Sequence, residues 1–231
     1  MFRSTELEVE SIETPIVLTE QSTREGMELD LLSKAIPVFQ FIYIVLSKIS
    51  DLSEKDLEKI IVQDAVALLL YYKATFDGNK VIGDTIDGEL LPTDFSVRKE
   101  SEIEKDVTIE INGKNFTPFL TLKRAVEAEK MALGVNGNEL AYLSLYTFGA
   151  CYVGSVKEGV NHVLHHTSSI EAQKQLDALN EALGKVSSIH IGFPKFQGRR
   201  RFNIIAHKES EKEVRAYALP FQETDFYRFG F

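Results

Sequence analysis

Apolar residues recur at spacings of three and four through Met27, Leu31, Leu32, Ala35, Val38, Phe39, Ile42, Tyr43 and Leu46, predicting one long helix or a kinked pair broken at Pro37. Ser53 and Asp56 offer an N-cap arrangement ahead of Leu57, Ile60, Ile61, Asp64, Ala65, Leu68 and Leu69, so a second helix is expected to end near Tyr72. Before these, Leu7, Val9 and Ser11 alternate with Glu6, Glu8 and Glu10. That period of two suits an edge strand, an arm added to another sheet, or a mobile acidic arm. Asp77-Gly78-Asn79 reads as a tight turn and residues 83–94 as a loop.

The clearest β signal lies within residues 106–119. Val107, Ile109 and Ile111 alternate with polar residues, Asn112-Gly113 fits a type I′ turn, and Phe116 and Phe119 begin the return. Residues 121–133 read as an amphipathic helix stopped by Gly134. Residues 139–163 are mostly apolar, and Gly149, Gly154 and Gly159 each weaken a helix by about 1 kcal/mol relative to Ala, so close helix packing is their expected benefit. Ile170, Leu176, Leu179 and Leu183 predict a further helix ending at Gly184. From Val186 the pattern turns extended, over residues 189–193, 201–206 and 214–219. The predicted fold class is α+β: a helical body over residues 1–184 with a central hairpin, then a small antiparallel β region and aromatic tail over residues 185–231, with a soft boundary between them.

The last fourteen residues change this picture, because Phe221, Phe226, Tyr227, Phe229 and Phe231 crowd a terminus. Large apolar groups left in water forgo about 1.5–3 kcal/mol each, so the tail is expected to dock, on its own core or on another subunit. At 231 residues and 44% hydrophobic, the chain has enough material for one substantial core or two modest ones. Its apolar runs, residues 37–46 and 65–72, fall short of the ~20 residues a bilayer span requires, and no membrane partner is expected. Acidic residues occupy the start of the chain, where a secretory signal would be apolar, and a soluble intracellular protein is the expectation. The single cysteine, Cys151, sits in an apolar segment and reads as a small buried hydrophobe.

A net charge of −9 argues against nucleic acid and anionic membranes as general partners. Charge is nonetheless uneven, with twelve acids against six bases in the first 60 residues and a late basic run at Arg199, Arg200 and Arg201. Those three guanidinium groups beside Phe202 could hold phosphates and stack a base, the reading of a nucleic-acid-binding accessory protein. Pairing with carboxylates of a neighbouring subunit, such as those of the acidic N-terminal residues, suits an acidic molecule better. The only metal-like cluster is His162, His165 and His166. His162 and His166 share a helical face at a spacing of four, which would suit a metal-dependent hydrolase, but a usable site needs a third ligand. The intervening residues lack the Glu of His-Glu-x-x-His, so a surface or helix-end patch is expected, with no metal or other cofactor. Neither a phosphate-cradling glycine loop nor a Gly-x-Ser-x-Gly elbow is present.

Pro15-Ile-Val-Leu-Thr-Glu-Gln-Ser-Thr-Arg-Glu, then Phe39-Gln-Phe-Ile-Tyr-Ile-Val-Leu, Asp51-Leu, and Val62-Gln-Asp-Ala-Val-Ala-Leu-Leu-Leu-Tyr-Tyr-Lys follow one another in an order that resembles the baseplate hub subunits and hub assembly chaperones of contractile-tailed phages. The resemblance covers residues 15–76. It implies a non-enzymatic structural or assembly protein of a phage tail baseplate, working in the host cytoplasm during assembly or retained in the virion. Its partners would be other protein subunits, a second copy of the chain among them. Contact would run through Phe221, Phe226, Tyr227, Phe229, Phe231 and Arg199 to Arg201.

Overall fold

The computed structural model describes residues 2–9, 12, 14–33, 35–76, 80–82, 86–89, 91–104, 107–134, 143–168, 170–172, 174, 178, 182, 186–191, 195–196, 199–200 and 202–204. The predicted α+β class is the observed one: helices form the body, and short antiparallel strand pairs decorate it.

The N-terminal alternation folds within the chain itself. Strand β1 (Ser4–Leu7) pairs antiparallel with β2 (Ile16–Thr19), in a register that sets Leu7 opposite Ile16. Arg3 closes the open end on Glu20, with Nε 3.1 Å and a terminal nitrogen 2.8 Å from the two carboxylate oxygens. Those hydrogen bonds draw the exposed Glu20 carboxyl down to about 2. Val9, Ile12, Ile16 and Leu18 are buried beneath, so this segment is part of the core rather than a loose arm.

Helix α1 (Thr23–Ser33) starts with a capping box, in which the Ser22 backbone N–H donates to Glu25 at 2.9 Å and the Glu25 N–H donates back to the Ser22 hydroxyl. The predicted pair is broken ahead of Pro37: α1 ends at Ser33, and Pro37 stands as the N-cap of α2 (Val38–Ile49), whose Phe39, Phe41, Ile42, Val45, Leu46 and Ile49 are buried. The second predicted helix is divided. Ser53 caps α3 (Glu54–Lys59) as expected, but Ile60 and Ile61 leave the helical path before α4 (Val62–Phe76) begins. The cause lies far off in sequence: Val62 N–H donates to the Leu120 carbonyl and Leu122 N–H to the Ile60 carbonyl, both at 2.8 Å. Helix α4 is buried on nearly every side through Ala74 and forms the axis of the core.

Beyond it, β3 (Lys80–Ile82) and β4 (Ile86–Glu89) pair antiparallel, so residues 86–89 are strand where the punctuation suggested loop. The Asp77-Gly78-Asn79 turn lies outside the described residues. The predicted hairpin is present as β6 (Ile109–Ile111) and β7 (Lys114–Phe116), with Asn112 at φ 49° and Gly113 at φ 76°, the left-handed pair of a type I′ turn. Between the two lies β5 (Phe95–Val97).

Helix α5 (Leu122–Gly134) ends where glycine was expected to stop it, and two helices occupy the glycine-bearing stretch, α6 (Leu143–Ala150) and α7 (Val156–His166). The glycines bring α6 and α7 into backbone contact. A Cβ on Gly149 would stand 2.5 Å from the Val160 Cα, and one on Gly159 would overlap the Gly149 carbonyl oxygen. Of the next predicted helix, residues 170–172, 174, 178 and 182 are described and helical.

Among the described residues four C-terminal strands follow, β8 (Ile189–Ile191), β9 (Lys195–Phe196), β10 (Arg199–Arg200) and β11 (Phe202–Ile204). Strand β8 pairs with β5 and β11 with β4, so the C-terminal strands are stitched to strands that precede residue 184. Residues 214–219 lie outside the described set.

Candidate functional site

Four inward-turned ionisable side chains are held by backbone groups of distant elements. Glu129, on α5, is 1% exposed, and its two carboxylate oxygens accept from Phe39 N–H at 3.0 Å and Gln40 N–H at 2.9 Å. Pro37 supplies no side-chain cap to α2, so a carboxylate from another helix does that work. Burial pushes the Glu129 carboxyl above its ordinary range, against the pull of those N–H donors. On the same helix, the half-buried Arg124 guanidinium donates to the carbonyls of Ala150 (2.8 Å), Tyr152 (2.6 Å) and Gly154 (2.9 Å), holding the turn that ends α6. A cation at that helix C-terminus also meets the negative end of its dipole.

Asp64, at the first turn of α4, is fully buried. Its Oδ1 accepts from the Ser187 hydroxyl (2.8 Å), Ser188 N–H (2.8 Å) and Ile189 N–H (3.3 Å), while Oδ2 has no hydrogen-bond partner. Burial pushes this carboxyl up to about 6, despite the opposing hydrogen bonds from Ser187, Ser188 and Ile189. Both amide atoms of the neighbouring Gln63 are likewise buried without a partner.

The histidines do not form the expected surface patch as a group. His165 and His166 are exposed, but His162 is 6% exposed and packs near the Phe116 ring. Its Nε2 lies 3.2 Å from the Ile111 carbonyl, a distance that fits donation to the hairpin, and its ring centroid is 6.0 Å from that of His166. A helix that packs against a hairpin turns only one stripe of its surface inward, which is why one of the three is taken into the core. Among the described residues no group of three or more His, Cys, Asp or Glu is arranged to hold a metal ion. Cys151 is buried as expected, with its thiol pushed up to about 12 by burial.

Arg199 and Arg200 form β10 and pair with Phe196 and Lys195 of β9. Arg201 lies outside the described residues, as do Phe221, Phe226, Tyr227, Phe229 and Phe231. Of the acidic residues expected to meet the arginines, Glu6 lies on β1 and is exposed, as is Glu8, while Glu10 lies outside the described residues. Among the described residues, no helix is long and apolar enough to cross a membrane.

The surface feature that pattern reading missed is on α1. Met27 and Leu31 are 57% and 67% exposed, whereas Leu29 is buried. Four residues apart, they stand about 40° from each other around the helix and form one outward apolar stripe. The Arg24–Glu28 ion pair, 3.3 Å long, borders it. Helical spacing includes Met27 and Leu31 with residues that are buried, such as Phe39 and Ile42; an i, i+4 apolar pair carries no sign of which way it faces.

No protein-family model matches the chain, and no curated protein or solved structure matches it.

Proposed function

We propose that this chain is a non-enzymatic structural or assembly protein acting through protein–protein interfaces, in the setting of a contractile-phage baseplate that the resemblance over residues 15–76 suggests. The observation that carries the reading is the outward Met27–Leu31 stripe on α1. Covering the exposed part of these two side chains contributes at most about 1.5–3 kcal/mol each, and the i, i+4 spacing is that of a helix laid into an apolar groove. The fitting occupant is another subunit of the same assembly, with an apolar groove and a polar rim able to meet the Arg24–Glu28 pair.

The inward-turned ionisable groups support the same reading in a second way. Glu129 and Arg124 hold backbone amides and carbonyls in place, the work of a rigid scaffold that presents surfaces. The test is purification of the chain from its native source under gentle conditions, followed by the mass of the species that carries it. The proposal expects a defined complex well above the 26.1 kDa of one chain. A monomer that turns over a small-molecule substrate would overturn it.

A further inference from the structure

We propose that Asp64 is a proton-operated latch fastening β8 to α4: neutral, the carboxyl holds Ser187 to Ile189 firmly; ionised, it holds them less well. The geometry is lopsided. Three donors converge on Oδ1, from the Ser187 hydroxyl and the amides of Ser188 and Ile189, and none reaches Oδ2. A neutral carboxyl accepts all three bonds on Oδ1 as its carbonyl oxygen and leaves only an uncharged Oδ2 hydroxyl without a partner, a smaller cost than a buried charge. An ionised one must leave half of a buried negative charge on an oxygen without a donor, and a buried charge is costly unless it is paired.

The latch spans 123 to 125 residues of sequence and joins an axial core helix to a strand whose other edge is held by β5. The elements packed on α4 carry charged and titratable groups: Tyr43 and Lys48 on α2, Lys123, Arg124, Glu127, Glu129 and Lys130 on α5, Asp94 in the turn before β5 and His190 on β8, with Tyr71, Tyr72 and Lys73 on α4 itself and Arg98 beside β5. Arg98 reaches toward the Ser187 carbonyl and the His190 ring at 3.5 and 3.4 Å. None of them supplies the shift of Asp64, which comes from burial set against hydrogen bonds.

The sign follows. With its latched value near 6 and its ordinary value of 3.8, Asp64 binds protons more tightly latched than released. Stabilisation of the latched state is therefore complete below about 4 and declines as pH rises through about 6. Between about pH 5 and pH 7 the opening equilibrium should shift roughly tenfold toward release.

Hydrogen exchange at individual amides, corrected for the intrinsic rate at each pH, reads this directly. The Ser188 and Ile189 amides should open about tenfold more at about pH 7 than at about pH 5, while the Leu122 amide, bonded to Ile60, stays level as an internal reference. Asp64→Asn should make the Ser188 and Ile189 ratio flat with pH. The wild-type ratio stands without the variant, should the latter fail to fold. Openings at Ser188 and Ile189 that ignore pH, or that move in step with Leu122, would overturn the latch.

Discussion

Replacing Glu129 should unfasten the start of α2. Two charge-assisted bonds from Phe39 and Gln40 are lost in Glu129→Ala, and the Phe39 amide is left in a fully buried position. Bonds to charged groups are each worth about 1.5–3 kcal/mol, so the pair sets a ceiling of roughly 3–6 kcal/mol. Part of this is offset, because burial already holds the Glu129 carboxyl above its ordinary range and removing it relieves that cost. The net expectation is about 3 kcal/mol for Glu129→Ala and about 2 kcal/mol for Glu129→Gln, which keeps one acceptor and turns an amide donor toward an N–H. For a chain of this size that lowers the melting temperature by about 6–12 °C for the alanine variant. Denaturant titration should show the midpoint falling at constant slope. Pro37→Ser, which gives α2 a side-chain cap of its own, should recover about 1 kcal/mol when combined with Glu129→Gln. Stability of Glu129→Gln within about 0.5 kcal/mol of wild type, with no effect of Pro37→Ser, would refute the reasoning.

Arg124→Lys should cost about 2–3 kcal/mol in the same titration, because one ammonium cannot span the carbonyls of Ala150, Tyr152 and Gly154. Gly159→Ala should lose at least about 3 kcal/mol by forcing α6 and α7 apart, whereas Gly134→Ala, with nothing within 4 Å of the added methyl, should be neutral or gain up to about 1 kcal/mol; comparable effects from the two would contradict the close crossing. Among the histidines, His162→Gln should cost about 1–2 kcal/mol through the lost contact with Ile111, while His165→Gln and His166→Gln stay within about 0.5 kcal/mol of wild type.

How much of this was legible in the sequence depended on whether the cause was local. Asn112-Gly113 dictates its own turn, and Pro37 cannot sit inside a continuous helix without breaking it, so the turn and the break were both read correctly from a few residues. The packing role of Gly149 and Gly159 was readable because glycines interrupt an apolar stretch that otherwise favours helix, whereas Gly154 lies in the connection between α6 and α7, against the Tyr152 ring. The break at Ile60 and Ile61 was not, since the apolar spacing runs straight through it and the pairing that causes it comes from residues 120–122. Glu129 and Arg124 look like ordinary charges on an amphipathic helix; only the approach of α2 and of the end of α6 turns them inward. Asp64 left a readable trace, an acid that with Gln63 interrupts an otherwise apolar run, though its partners at Ser187 to Ile189 lie more than a hundred residues away. The Met27–Leu31 stripe failed for the opposite reason: its period is helical, but the same period describes a buried face.

The central claim is that α1 presents a working interface, and the double variant Met27→Glu, Leu31→Glu tests it most directly. Both side chains already face solvent, so the variant should melt within about 2 °C of wild type, as surface substitutions do. Measured by light scattering on material from the native source, the wild-type chain should run in its complex and the variant at the mass of a single chain. A variant that folds normally and still runs at the wild-type complex mass would contradict the account.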